Sequence, residues 1–147
     1  MATQAKHLIE GEPNLIANLA NLSALFAVLL DRINWVGFYL RDGEELVLGP
    51  FQGKPACIRI PFGQGVCGTA AHTGEAQVVP DVYAFAGHIA CDADSRSEIV
   101  LPIRRDGHVV GVLDIDSPLP GRFTDADRSG LEEIVAIIEK GCDFTAY

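Results

Sequence analysis

Apolar positions divide this chain into two helical ends around a β-rich middle. Leu15, Leu19, Leu22, Phe26, Leu29 and Ile33 recur at steps of four and three, a single stripe that predicts a helix over residues 13–33. Pro13 suits its first turn, and Asn14, Asn18 and Asn21 fall off the stripe. From residue 34 the period changes to two: Val36, Phe38 and Leu40 share one face, and Trp35, Gly37 and Tyr39 the other. Asp42-Gly43 signals a hairpin turn, and residues 45–51 return. Residues 56–62 predict a third strand on which Cys57 alternates with Arg59. Glycines then lead into a short helix of small residues within 63–76, followed by a brief strand at 77–80. Residues 97–105 and 108–117 read as a strand pair around Asp106-Gly107. Thr124 opens a last helix running to about residue 140, with Asp127 completing a short capping box. Leu131, Ile134, Val135 and Ile138 form its buried stripe, and Gly141 is expected to stop it. Hairpin-linked strands imply an α+β fold: a central antiparallel sheet over about 34–117, with the N- and C-terminal helices packed on one face. Residues 81–97 lack a period and read as a loop long enough to be functional.

The chain's 147 residues, 48% apolar and 21% charged, suffice for one packed core, and no repeat or linker divides them, so residues 1–147 are expected to form a single domain. A formal charge of −9 argues against nucleic acid and against an anionic membrane surface. No apolar run approaches the ~18 residues of a spanning helix, and the first residues lack a signal-peptide core, so a cytoplasmic location is expected. In a reducing compartment the four cysteines, Cys57, Cys67, Cys91 and Cys142, are core residues, metal ligands or redox groups rather than a disulfide frame.

Asp114 and Asp116 sit two apart in an otherwise apolar strand and so share a face. Either the strand ends near Ile115 and they meet solvent, or they are buried with a partner. Glu98 joins them only if the turn allows. A two-residue loop at Asp106-Gly107 pairs Ile99 with Asp114 and turns Glu98 away; a three-residue loop pairs Glu98 with Asp114. Three converging acids would bind a cation or a ligand ammonium, or hold one proton between them. Trp35 and Tyr39 flank Gly37, leaving a notch for a small apolar group unless both simply cover the core. Cys67 follows Gly63 and Gly65 at the start of a short helix, where the positive helix end would lower a thiol's pKa. Asp92 and Asp94 would oppose ionisation of Cys91, so local chemistry favours Cys67 as the reactive thiol. Cys142 at the last helix end reads as incidental. A zinc site drawn from Cys57, Cys67, His72, His88 and Cys91 lacks any recognisable ligand spacing, and no dinucleotide, Walker or nucleophile-elbow motif is present. No bound metal or cofactor is expected.

The stretches INWVGFYL (33–40), LGPFQGKPACIRIPFGQGVCGTAA (48–71), GHIACDADSRSEIVLPI (87–103) and GVLDIDSP (111–118) together resemble the free methionine-(R)-sulfoxide reductases, enzymes with a GAF-domain fold. The resemblance covers about residues 8–140. It implies Cys91 as nucleophile, Cys57 as resolving thiol with Cys67 as the alternative, and a substrate pocket involving Trp35, Tyr39, Glu98, Asp114 and Asp116. Glu98 and Asp116 are then the candidates for protonating the sulfoxide oxygen, and Asp114 for binding the substrate ammonium. The resemblance also favours the three-residue turn. It implies free methionine sulfoxide as substrate, thioredoxin as external reductant and a homodimer. The alternative is a GAF sensory module that binds a small ligand without chemistry.

Overall fold

A stripe of large apolar residues must be covered by another layer, and here the cover is a sheet. In a computed structural model describing residues 1–89 and 91–147, the first predicted helix is α2, Leu15–Leu29. It is shorter than the expected 13–33. Asn14 is its N-cap, accepting from the Ala17 backbone N–H at 3.0 Å, so Pro13 lies before the helix and not in its first turn. Leu30 turns extended and ends it. A short helix not anticipated from sequence, α1 (Ala2–Ile9), precedes it and adds Ala5 and Ile9 to the same core. Asn18, assigned to the polar side of α2, is buried instead: its amide donates to the Glu12 carbonyl at 2.6 Å.

Six strands follow: β1 (Trp35–Asp42), β2 (Glu45–Gly53), β3 (Arg59–Pro61), β4 (Gln77–Val79), β5 (Ser97–Arg105) and β6 (His108–Ser117). They form one sheet in the order β3-β2-β1-β6-β5-β4, antiparallel at every pairing. Helix α3 (Gly65–Thr73) lies between β3 and β4 in sequence, and α4 (Asp125–Gly141) closes the fold. Val36, Phe38, Leu40, Ile99, Leu101, Leu113 and Ile115 pack with α1, α2 and α4, so the terminal helices share one sheet face as expected. The opposite face carries Trp35, Tyr39, Val100 and Val112 under α3. The alternation read for residues 35–40 thus sorts correctly between two cores. Among the described residues no helix is long and apolar enough to cross a membrane.

Helix α4 is capped as predicted. The Thr124 hydroxyl accepts from the Asp127 N–H at 3.2 Å, and the Asp127 carboxylate accepts from the Thr124 N–H at 2.8 Å. Its end differs: Gly141 is the last helical residue rather than the stop, and Cys142 is the cap. The third strand is also shorter than the expected 56–62. The Leu48 N–H still bonds to the Ile58 carbonyl at 2.9 Å, but the Cys57 carbonyl accepts from the Tyr39 hydroxyl at 2.9 Å. That diversion leaves Cys57 in a loop, not alternating with Arg59 on a strand.

Neither expected register of the last hairpin occurs. The turn has two residues, Asp106 (φ 52°) and Gly107 (φ 79°), and pairs Arg105 with His108 and Arg104 with Val109. The register then shifts, and Ile103 pairs with Gly111, leaving Val110 as an extra residue, a β-bulge. Beyond it Val100 lies opposite Asp114, and Glu98 opposite Asp116. Because side chains alternate, one inserted residue flips the facing of all that follows. The bulge therefore brings Glu98, Asp114 and Asp116 to one face, the result the three-residue turn was invoked to give.

The notch expected between Trp35 and Tyr39 is filled. Gly37 pairs with Phe51, whose ring stacks on Trp35 at a centroid distance of 5.2 Å. A Cβ on Gly37 would overlap that of Phe51. Gly37→Ala is accordingly expected to destabilise the fold by about 1–3 kcal/mol, as overpacking does. Thr124→Ala is expected to cost about 1 kcal/mol through loss of the cap. Urea denaturation checks both; a Gly37→Ala midpoint equal to that of the parent would contradict the packing described.

Candidate active site

The second sheet face and the helix over it bring together six candidate side chains from four elements. Glu98 comes from β5, Asp114 and Asp116 from β6, Trp35 and Tyr39 from β1, and Cys67 from α3. Strand pairing sets Trp35 beside Asp116 and Gly37 beside Asp114. Together they line a cavity of about 40 Å³, room for about three waters. Ala56, His88, Ile89 and Cys91 line it as well.

All three acids are buried; Asp114 is only 5% exposed. The solvent-facing alternative for the two aspartates is thus excluded. Burial is the main cause raising all three carboxyls well above the ordinary range, and charge repulsion adds to it: from Asp114 on Glu98, from Asp116 on Asp114, and from Glu98 on Asp116. The Cys67 thiol lies 3.9 Å from Glu98 Oε2. It is the third residue of α3, where a lowered pKa was expected, but burial and then the charge of Asp114 push it well up. The reading of Cys67 as the activated thiol is therefore corrected: desolvation outweighs the helix end. Burial and the same acids also raise the Tyr39 hydroxyl.

Cys91 and Cys57 are joined by a disulfide across 34 residues of sequence, with Cα atoms 5.4 Å apart. Cys67 and Cys142 are free. Cys142 is half-buried, 3.6 Å from the Asn18 amide, and burial raises its pKa.

Several site residues escaped sequence reasoning. The Asn34 amide donates to Asp92 at 3.0 Å and to the Ser95 hydroxyl at 3.2 Å, anchoring the loop that carries Cys91. Lys54 pairs with Asp94 at 2.6 Å, tying the Cys57 loop to the same segment. Trp35 Nε1 donates to the Lys54 carbonyl at 3.2 Å and Tyr39 to that of Cys57, so both aromatic polar tips hold the Cys57 loop. Gly65 (φ +65°) donates its N–H to the Gly87 carbonyl at 3.1 Å, and Ile89 covers it closely enough that a Cβ would lie 3.2 Å away. A polar Asn34 directly before an apolar strand was a usable signal; the loop contacts had none. The long stretch 81–97 contains a 3₁₀ turn, Val82–Ala84, and is pinned where Val82 donates to Arg96 at 2.9 Å and Arg96 to Ser117 at 2.8 Å. The zinc set weighed from sequence does not assemble: Cys57 and Cys91 are bonded together and His72 is exposed.

A GAF domain family model matches residues 15–141. Free methionine-R-sulfoxide reductase of Escherichia coli is 56% identical over 140 residues, covering 95% of this chain and 85% of that protein. The chain belongs to this GAF-domain family of reductases. The reduced form of Staphylococcus aureus fRMsr superposes with a TM-score of 0.93 at 59% identity, covering 95% of this chain and 91% of that one. Free methionine-R-sulfoxide reductase from Neisseria meningitidis, solved in complex with its substrate, gives 0.92 at 48% identity, with 95% and 84% covered. The family expected from the motifs is therefore the one found. Within that GAF fold the four stretches that carried the resemblance contribute the paired thiols, Cys67 and the acid cluster.

Buried acids with raised pKa values fix the sign of a stability effect. Between the unfolded carboxyl range near pH ~4 and the raised native values, the native state holds more protons, so stability falls as pH rises through that window. Asp114→Asn removes one such group. Its midpoint of urea unfolding is expected to exceed the parent's at neutral pH. The difference should fall away below pH ~3, where the carboxyl is protonated folded or unfolded. A neutral-pH midpoint below the parent's would reverse this assignment.

Proposed function

We propose that the chain reduces free methionine (R)-sulfoxide to methionine, with Cys91 as nucleophile. The observation that carries this reading is the Cys57–Cys91 disulfide set beside three buried acids in one cavity. The Cys91 thiolate attacks the sulfoxide sulfur. A proton from Glu98 or Asp116, whose raised pKa values keep one available, goes to the oxygen, and the substrate S–O bond breaks as that hydroxyl passes to the Cys91 sulfur. Methionine departs and Cys91 is left as a sulfenic acid. Cys57 attacks that sulfur, water leaves and the disulfide forms. Thioredoxin then reduces it by thiol exchange and is itself oxidised. Cys67 is the alternative resolving thiol; its lack of a disulfide partner favours Cys57 for the role.

Asp114 pairs with the substrate ammonium, a group peptide-bound methionine lacks, and so selects the free amino acid. The S-methyl lies near Trp35 and Tyr39. Cytoplasmic thioredoxin would supply the electrons. We infer further that two copies pair through α2. This helix carries no charge, and its outer side exposes Ile16 and Val28, the latter 82% exposed, among small residues. On a chain of charge −9, an uncharged face is where two like copies approach with least repulsion.

The first test couples NADPH consumption through thioredoxin and its reductase to racemic free methionine sulfoxide; consumption should stop near half the added sulfoxide. No consumption with an active reductase system would turn the reading toward a binding module. Cys91→Ser should release no methionine even in one turnover, whereas Cys57→Ser should release about one equivalent and then stall. The first pattern in Cys67→Ser would move the nucleophile. Asp114→Asn should mainly raise KM, and Glu98→Gln should lower kcat. Val28→Glu should yield monomers by light scattering if α2 is the pairing face.

A further inference from the structure

We propose that Cys67, Glu98 and Asp114 form a binding site for a thiophilic divalent cation of the zinc class. One ligating atom from each lies within 4.8 Å of the others. Among the described residues no other such group occurs. The Cys67 sulfur to Glu98 oxygen distance is 3.9 Å, against about 3.6 Å between a sulfur and an oxygen on one tetrahedral zinc ion. Small side-chain adjustment closes the difference.

A second observation points to a ligand. Asp114 Oδ1 is buried without any hydrogen-bond partner, and Asp114 lines the cavity. A buried acceptor left unsatisfied is costly, and a cation is one of the few groups that would satisfy it beside the Cys67 sulfur and a Glu98 oxygen, both of which give up their protons on metal binding. The donor set selects among metals. Magnesium and calcium take oxygen ligands, whereas one thiolate with two carboxylates suits zinc and its softer relatives. Three protein ligands leave a fourth position facing the cavity.

The site does not depend on the redox pair. Cys67 is free while Cys57 and Cys91 are bonded, so the ligands exist in the disulfide state. Resting on the substrate reading above, a bound cation occupies Asp114, which would receive the ammonium, and Glu98, a proton donor, so it inhibits, and a chelator restores activity.

The test uses the full chain in its disulfide form, in which Cys67 and Cys142 are the two free thiols. Equilibrium dialysis against Zn²⁺ should give about one equivalent per chain, and Cd²⁺ should add a sulfur-to-metal charge-transfer band. Cys142→Ser should keep both signals. Cys67→Ser should abolish the band, and Asp114→Asn and Glu98→Gln should each weaken binding by more than about tenfold. Circular dichroism melts establish that each variant is folded. The proposal is overturned if the parent binds no metal, if binding survives Cys67→Ser, or if neither carboxyl variant changes it. Dialysis involves no turnover, so the metal site stands or falls apart from the substrate reading. Metal bound without inhibition would overturn only the inhibitory role.

Discussion

Three carboxyl groups held together out of water are the constraint around which the rest of this molecule is arranged. Buried charge is unfavourable, and three like charges are more so. The sheet accepts Glu98, Asp114 and Asp116 because both faces are otherwise well filled. Behind them lie Ile99, Leu113 and Ile115 against the terminal helices, and around them Trp35, Tyr39, Val100 and Val112 under α3. The surplus from those two apolar layers supports the unfavourable cluster. Burial of this kind favours the protonated carboxylic acid, the group that the sulfoxide oxygen would need in the proposed reaction.

Much of this was readable from period and spacing, because those features depend on local geometry. The alternation over residues 35–40 sorted Val36, Phe38 and Leu40 from Trp35 and Tyr39, and the Thr124–Asp127 cap marked the start of α4. What failed depended on distant neighbours. The space over Gly37 is decided by Phe51 on the next strand, and the ionisation of Cys67 by burial under its own helix rather than by its place in that helix. Asn18 carries no mark of burial; its partner is a carbonyl in the preceding loop.

The bulge at Val110 shows the limit best. Period-two reasoning assumes an unbroken ladder, and both registers considered for the last hairpin, one of which placed a bulge at Gly107 in the turn itself, made that assumption beyond the turn. The right facing of the acids came from the family resemblance, joined to a turn that does not occur. The extra residue sits between the turn and the site. The turn is therefore free to follow local rules for Asp-Gly while the acids meet the demands of the cavity.

The link between Cys57 and Cys91 closes a span of 34 residues, which by chain entropy is worth about 3–4 kcal/mol of resistance to unfolding. In the proposed cycle each turnover therefore alternates a cross-braced chain with a looser one. The enclosed segment includes α3 and much of the cavity wall, so it loosens and tightens with the electron supply. When reductant is scarce, molecules accumulate in the braced form. They are then idle but harder for proteases to open, and the pool is preserved until electrons return.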